Sequence, residues 1–335
     1  MRKNARQFVL ITLLGWPVLS MLCYGLFSTV LSSHLRAGWW IWDAMHYKVR
    51  RAQGLSSPKL IIASGSNALF GINSQLIEQR TGRPVANLAI HAGIDLDYYA
   101  SKIEQLIGPS DIVILPLEFE YYTRNKYTRW FTINMMVDNL DDYQSHLSLY
   151  DHLRFMLVSP LAIFSLSPRD HQVEPLGKVQ KMLNKHKTSD THWQGYSYKS
   201  MNYQGEILVN EPPSKSLRNQ LQRGIPYLKK DISLSHDFLN AIRRIQSIVA
   251  INHGALFLTW PASILNPEFD PAGESYRGRV RNLLSQLEKE KLIYICLPED
   301  FQFDISKFFN SLYHLNFDGA NLRTKVLVAC MEKGQ

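Results

Sequence analysis

The chain is poor in cysteine: 335 residues hold three, Cys23, Cys296 and Cys330. So few exclude a disulfide-framed scaffold. Cys296 and Cys330 could pair in an oxidising compartment, but the preferred reading is that all are free, buried thiols. Zinc-like Cys/His spacing is lacking too, and His146 and His152 are not an i, i+4 pair, so no metal and no cofactor is expected. Internal repeats and low-complexity tracts are absent, and 45% hydrophobic against 20% charged residues excludes a disordered chain. Acidic residues are the minority, 29 against 37 Lys and Arg, for a formal charge of +8. The basic residues are scattered, however. The densest groups, Lys48-Arg50-Arg51 and Arg277-Arg279-Arg281, are short and carry no interleaved stacking aromatics, so nucleic acid is not an expected partner. A basic surface suits an anionic polymer or lipid headgroups.

One long apolar run is present. From Gln7 to Leu31 the chain reads QFVLITLLGWPVLSMLCYGLFSTVL, without a charge. At ~1.5 Å per residue a helix of this length crosses a ~30 Å hydrocarbon core, and Pro17 kinks such a helix without forbidding it. No A-x-A-like cleavage site follows, which favours an uncleaved anchor over a signal peptide. Arg2, Lys3 and Arg6 would hold the N-terminus in the cytoplasm and put the remainder outside. Trp39, Trp40 and Trp42 look like an interfacial aromatic belt beyond the span. The expected organisation is an anchor over 1–36, a juxtamembrane linker over 37–56, and an extracytoplasmic domain over 57–335.

Within that domain strand-like and helix-like segments alternate. KLIIA (59–63), PVANLAI (84–90), DIVILPL (111–117), ALFLTW (255–260) and LIYICL (292–297) read as strands. Helices are expected over 74–80, 97–107, 236–252, 275–291 and 318–332. Five strands separated by helices predict an α/β fold, a doubly wound, mostly parallel five-stranded sheet with ligands outside the strands' carboxyl ends. A large insertion, about 121–235, interrupts the alternation after strand three. It is rich in aromatics, His and Lys, as lids and substrate platforms often are.

The first strand runs into SGSNALFGI, residues 64–72, where a serine enters a small-residue turn before a helix. Such a turn exposes a hydroxyl and points the following amides at a developing oxyanion. G-x-S-x-G is missing, which excludes the common nucleophile elbow. A serine nucleophile needs a base, and of eleven histidines His314 has the best context, in a loop directly before the last helix. His91, in NLAIHAG, could line the same cleft, and Asp95 and Asp97 are expected to cap the next helix.

Four blocks in order carry a resemblance: SGSNALFGI after strand one, NLAIHAG after strand two, LEFEYY after strand three, and YHLNFDGANLRT near the C-terminus. Together they resemble the SGNH hydrolase superfamily. Within it they look most like the membrane-anchored branch that includes the D-alanyl transfer protein of teichoic-acid modification and the alginate O-acetylation proteins. The likeness covers about 57–119 and 236–332 plus the anchor, and not the insertion. It implies Ser66 as nucleophile, His314 as base and the Gly93 amide in an oxyanion hole, with Ser64 an ordinary turn hydroxyl. The family's third-block Asn has no clear match. Asn67 is a nearby amide, and Glu118 ends strand three as a structural or substrate-binding group, because a carboxylate cannot donate to an oxyanion unless protonated. The family places an Asp three or four residues before its His; here Ser311 and Asn310 stand there, with Asp304 a candidate orienter from further off. The resemblance therefore implies a membrane-anchored acyltransferase or esterase acting on O-acyl, chiefly O-acetyl, groups of a cell-envelope polysaccharide. A multi-spanning membrane acyltransferase is an implied partner. The alternative is a catalytically impaired glycan-binding or assembly subunit of the same fold.

Overall fold

The computed structural model describes residues 2–26, 39–126, 147–163, 178–183, 191–223, 231–265, 270 and 272–333. The chain divides into two compact units, one of Met1–Trp42 with Lys126–Leu176, the other of Asp43–Asn125 with Gly177–Gln335. The inserted stretch is therefore shared between them. Asp141, Asp142 and His146 lie outside the described residues.

In the first unit, α1 (Arg2–Leu26) is a 25-residue helix that keeps Pro17 inside it. Its Ala5–Cys23 window has a mean hydropathy of 1.5 and is only 6% buried, long and apolar enough to cross a membrane. The helix Leu149–Ile163 packs along it, opened by Ser148, whose Oγ accepts from the Asp151 amide at 3.1 Å. Lys126 and Asp151 form an ion pair at 3.4 Å in the same unit.

Helix α2 (Trp39–Gln53) fills most of the expected linker. Trp40 and Trp42 are 8% and 1% exposed, so they are packing residues; an interfacial belt would need rings open to headgroups. Of the basic group that follows, Arg50 is exposed and the other two are committed inward. The Lys48 ammonium is buried and donates to the carbonyls of Asn87 and Ala89, and Arg51 donates to Val85 O at 2.8 Å.

The second unit is a mixed α/β body on a parallel four-stranded sheet. Its elements run β1 (Leu60–Ile62), α3 (Ser66–Leu69), α4 (Ser74–Thr81), β2 (Val85–Asn87), α5 (Leu96–Leu106), β3 (Ile112–Pro116), α6 (Glu120–Thr123), α7 (Lys215–Gln222), α8 (His236–Ile251), β4 (Ala255–Thr259), α9 (Glu274–Lys289) and α10 (Phe317–Lys333). Strand order is β2-β1-β3-β4, with Ile61 opposite both Ala86 and Val113, and Ile114 opposite Phe257. The three strands β1 to β3 are buried throughout, as their apolar content requires, and the one polar residue among them, Asn87, is bonded to Glu206. Each apolar side chain contributes about 1.5–3 kcal/mol by leaving water. α4 packs against α10, and α5 against α8. Asn73 caps α4 by accepting from Leu76 N at 3.2 Å, and Gly82 ends it at φ +68°. Asp95 occupies the position before α5 without a side-chain cap bond; its carboxylate lies 3.9 Å from Arg124 instead.

Two expectations are corrected. The fifth strand is reduced to one bridge, Tyr294 beside Leu258. Lys291 and Cys296 both take left-handed backbone, φ +56° and +58°, which cuts the apolar run at each end before a ladder can extend. A small parallel pair, Ser263–Ile264 with Gln302–Phe303, follows instead. The free-thiol reading is overturned as well. Cys296 and Cys330 are bonded, because the last turns of α10 bring Cys330 within 5.6 Å, Cα to Cα, of the turned backbone at Cys296. Cys23 is free.

Candidate active site

A parallel sheet ordered β2-β1-β3-β4 reverses direction between β1 and β3, and the crevice beyond their carboxyl ends is where such sheets hold ligands. Ser64, Gly65 and Ser66 leave β1 there, and Glu118 leaves β3.

The two serines have separate tasks. Ser64 is fully buried and donates to Pro116 O at 2.6 Å, while its own oxygen accepts from Asn67 Nδ2 at 2.8 Å. It is the ordinary turn hydroxyl expected of it. Ser66 is half-buried and opens α3 with Gly65 as the capping residue. Between them Gly65 has an ordinary φ of −75°, so its need is for space. A Cβ there would lie 2.6 Å from Ala92 Cα and strike the Glu118 carboxylate. That carboxylate accepts from Gly65 N at 3.3 Å and Asn67 N at 3.1 Å, fixing the turn from below.

Asn67 is gripped from the other side by Arg323 of α10. The guanidinium donates to Asn67 O at 2.8 Å, Asn67 Oδ1 at 2.7 Å and Trp260 O at 2.9 Å. Burial pulls the Arg323 pKa down to about 9, and Glu118 pushes it the other way by favouring the cation. A buried carboxylate and a buried guanidinium thus clamp one turn. The Arg and Thr of the C-terminal block are structural: Thr324 Oγ1 accepts from Asn73 N at 3.0 Å.

His314 reaches Ser66 from the far end of the chain. Phe308 bridges to Leu315, and Phe309 N donates to His314 O at 2.9 Å, forming a tight hairpin that turns Asn310 back toward the ring. His314 Nε2 lies 2.9 Å from Ser66 Oγ, and Nδ1 lies 2.7 Å from Asn310 Oδ1. An oxygen acceptor at Nδ1 requires the proton there, which leaves the Nε2 lone pair to take the Ser66 proton. Ser, His and Asn form a relay in the orientation a general base needs. Phe70 stacks on the imidazole, centroids 4.0 Å apart and planes within 8°. Burial, with a smaller contribution from His91, drives the His314 pKa down to about 3. His91 is pushed down to about 4 by burial and by Arg124.

Of the three orienter candidates, Asn310 alone reaches the ring. Ser311 Oγ accepts from Tyr313 N at 3.3 Å, and Asp304 is exposed and accepts from Ser306 N at 2.8 Å. The expected amide donors are found with other partners, and of its two readings Glu118 has the structural one. The Gly93 amide donates to His91 Nδ1 at 2.9 Å. Asn67 spends its side-chain amide on Ser64 Oγ and Pro116 O, and Glu118 is 1% exposed beneath the turn. All three shape the turn and its neighbouring loop; their polar atoms are committed within the protein.

The insertion supplies walls that sequence reasoning left unassigned. Ser214 N donates to Phe309 O at 2.7 Å, and Gln220 Nε2 of α7 donates to Asn310 O at 3.1 Å, buttressing the base hairpin. Trp193 meets Phe309 edge-on at 4.8 Å, and Tyr196 lies parallel to Phe70 at 5.9 Å. The only sequence signal for this role was the aromatic density of an irregular stretch. Compared with known proteins, the chain matches no family model and no curated protein.

Proposed function

We propose that the chain is a membrane-anchored, SGNH-like enzyme that transfers or hydrolyses O-acyl groups, chiefly acetyl, of an envelope polysaccharide on the extracytoplasmic side. The observation that carries the reading is the 2.9 Å contact of Ser66 Oγ with a His314 ring already held by Asn310 at 2.7 Å. Ser66 Oγ attacks the ester carbonyl as its proton passes to Nε2. The imidazolium returns that proton to the leaving alcohol, and the acyl-serine is released to a sugar hydroxyl or to water. The Ser66 amide, at the start of α3, is one donor for the oxyanion. Ser66 is the open hydroxyl of the pair, while Ser64 is sealed, which supports the choice of nucleophile.

Two features support the location. A membrane-length helix begins the chain behind Arg2, Lys3 and Arg6, and a disulfide links Cys296 to Cys330, a bond that persists where the medium is oxidising. A multi-spanning membrane acyltransferase is the proposed source of the acyl group, delivered close to the bilayer.

One observation favours a second reading, a subunit that binds glycan without turnover: the group on Nδ1 is an amide, so the imidazolium gains no carboxylate. Labelling by a fluorophosphonate probe separates the two. The enzyme reading expects adduct on the wild type and none on Ser66→Ala. An unlabelled wild type that still binds polysaccharide would establish the subunit.

A further inference from the structure

This inference rests on the serine-enzyme reading and supplies what that reading lacks. A tetrahedral intermediate at Ser66 needs more than one donor for its oxyanion, and the expected ones are occupied. Gly93 N points at His91 Nδ1, and Asn67 Nδ2 at Ser64 Oγ and Pro116 O. Turning the Asn67 amide outward would break the packing of a buried turn, and the Gly93 amide would have to give up its bond to His91.

Another hydroxyl stands beside the nucleophile. Tyr196, from the inserted stretch, has its ring centroid 6.2 Å from that of His314, the partner of Ser66, which brings its OH to the nucleophile's side of the site. The same OH donates to Ile90 O at 3.2 Å, a long bond that leaves its proton available to a stronger acceptor. The ring is held by stacking, within 10° of parallel to Phe70 and within 12° of parallel to His314. The hydroxyl therefore sits on a preset surface at the edge of the Ser66–His314 pair. Burial also raises the phenol's pKa, so it stays a donor at neutral pH.

We propose that Tyr196 is a catalytic residue, the side-chain donor of the oxyanion hole, standing where the expected amides do not reach. As the bond from Ser66 Oγ to the carbonyl carbon forms, the C=O π pair moves to oxygen and the Ser66 proton moves to His314 Nε2. The Tyr196 O–H turns from Ile90 O to the new oxyanion, donating a hydrogen bond without giving up its proton. A charged acceptor makes that bond stronger than the one it replaces. The insertion is then part of the catalytic apparatus.

The test uses the full chain in detergent micelles, with p-nitrophenyl acetate as the probe ester. Tyr196→Phe removes the hydroxyl and keeps the ring, and it is expected to lower kcat by about 10²–10³-fold with KM within about twofold. A second measurement replaces Tyr196 by fluorotyrosines of increasing acidity, which retain ring and hydroxyl. The rate is expected to rise with acidity, because a stronger donor stabilises the oxyanion more. Ser66→Ala separates the two ideas. If it leaves turnover unchanged, the serine-enzyme reading fails and this one with it. If it abolishes turnover while Tyr196→Phe retains at least half, or while rates ignore phenol acidity, Tyr196 is not the donor and the enzyme reading stands.

Discussion

The two halves of the site are built from opposite materials. The Ser66 turn is held by buried charge, with Glu118 accepting from two of its amides and Arg323 gripping Asn67 from the other side. The His314 ring is held by neutral contacts, an amide on Nδ1 and a phenyl face, while its hairpin takes a main-chain bond from the insertion and donates the Tyr313 hydroxyl to the Glu120 carboxylate at 2.9 Å. Charge suits the turn, where geometry must not yield. Around the imidazole the lack of charge has a chemical effect. No carboxylate holds Nδ1, and burial with a smaller push from His91 keeps His314 neutral far into acid.

The contrast can be tested at several points. Ser66→Ala should lower turnover by ~10³-fold or more, whereas Ser64→Ala should act mainly on folding, costing about 0.5–1.5 kcal/mol for each bond lost to Asn67 Nδ2 and Pro116 O, which keep each other as partners. Turnover and thermal unfolding of both variants measure this; equal kinetic losses would erase the division of labour between the serines. Next comes the charged side. Glu118→Gln leaves Arg323 as a buried cation without its counter-charge and should cost about 3 kcal/mol of stability, read as a lowered Tm. An unchanged Tm would mean the carboxylate does not hold the turn.

Asn310→Asp then adds the missing charge to the neutral side. The carboxylate should raise the His314 pKa and increase kcat at neutral pH by ~10–100-fold. The acid limb of the pH–rate profile should move up from its wild-type position near the His314 pKa of about 3. A limb that stays put would show that His314 is not the titrating base. The smallest effect is on stability. His91 and His314 have folded pKa values of about 4 and about 3, below the ~6.5 of an unfolded chain. The unfolded state therefore binds more protons through that window, and stability should fall as pH drops from about 6.5 toward 3. Denaturant midpoints across that range test it, and His91→Gln should flatten part of the slope.

Much of this was legible in the residues. KLIIA, PVANLAI and DIVILPL announce buried parallel strands, and a serine leaving the first of them before a helix marks Ser66. His314 was reachable through its loop before the last helix, and Asn310 only through the resemblance, which left it level with Ser311. LIYICL misled because apolar content carries no record of left-handed backbone at Lys291 and Cys296. The cysteines misled because a separation of 34 residues says nothing of distance in space. Glu118 and Arg323 act across gaps that no local pattern encodes, and Tyr196 is one of sixteen tyrosines, in a stretch without periodicity.

The bond between Cys296 and Cys330 has a consequence for where the molecule can work. It closes a covalent ring that contains the base hairpin and nearly all of α10, hence Asn310, His314 and Arg323 together. Cross-linking a ring of this size restrains the unfolded chain by about 4 kcal/mol. Copies held among reducing thiols forgo that restraint in the segment that carries the imidazole and the guanidinium, and their unfolding midpoint is expected to fall accordingly.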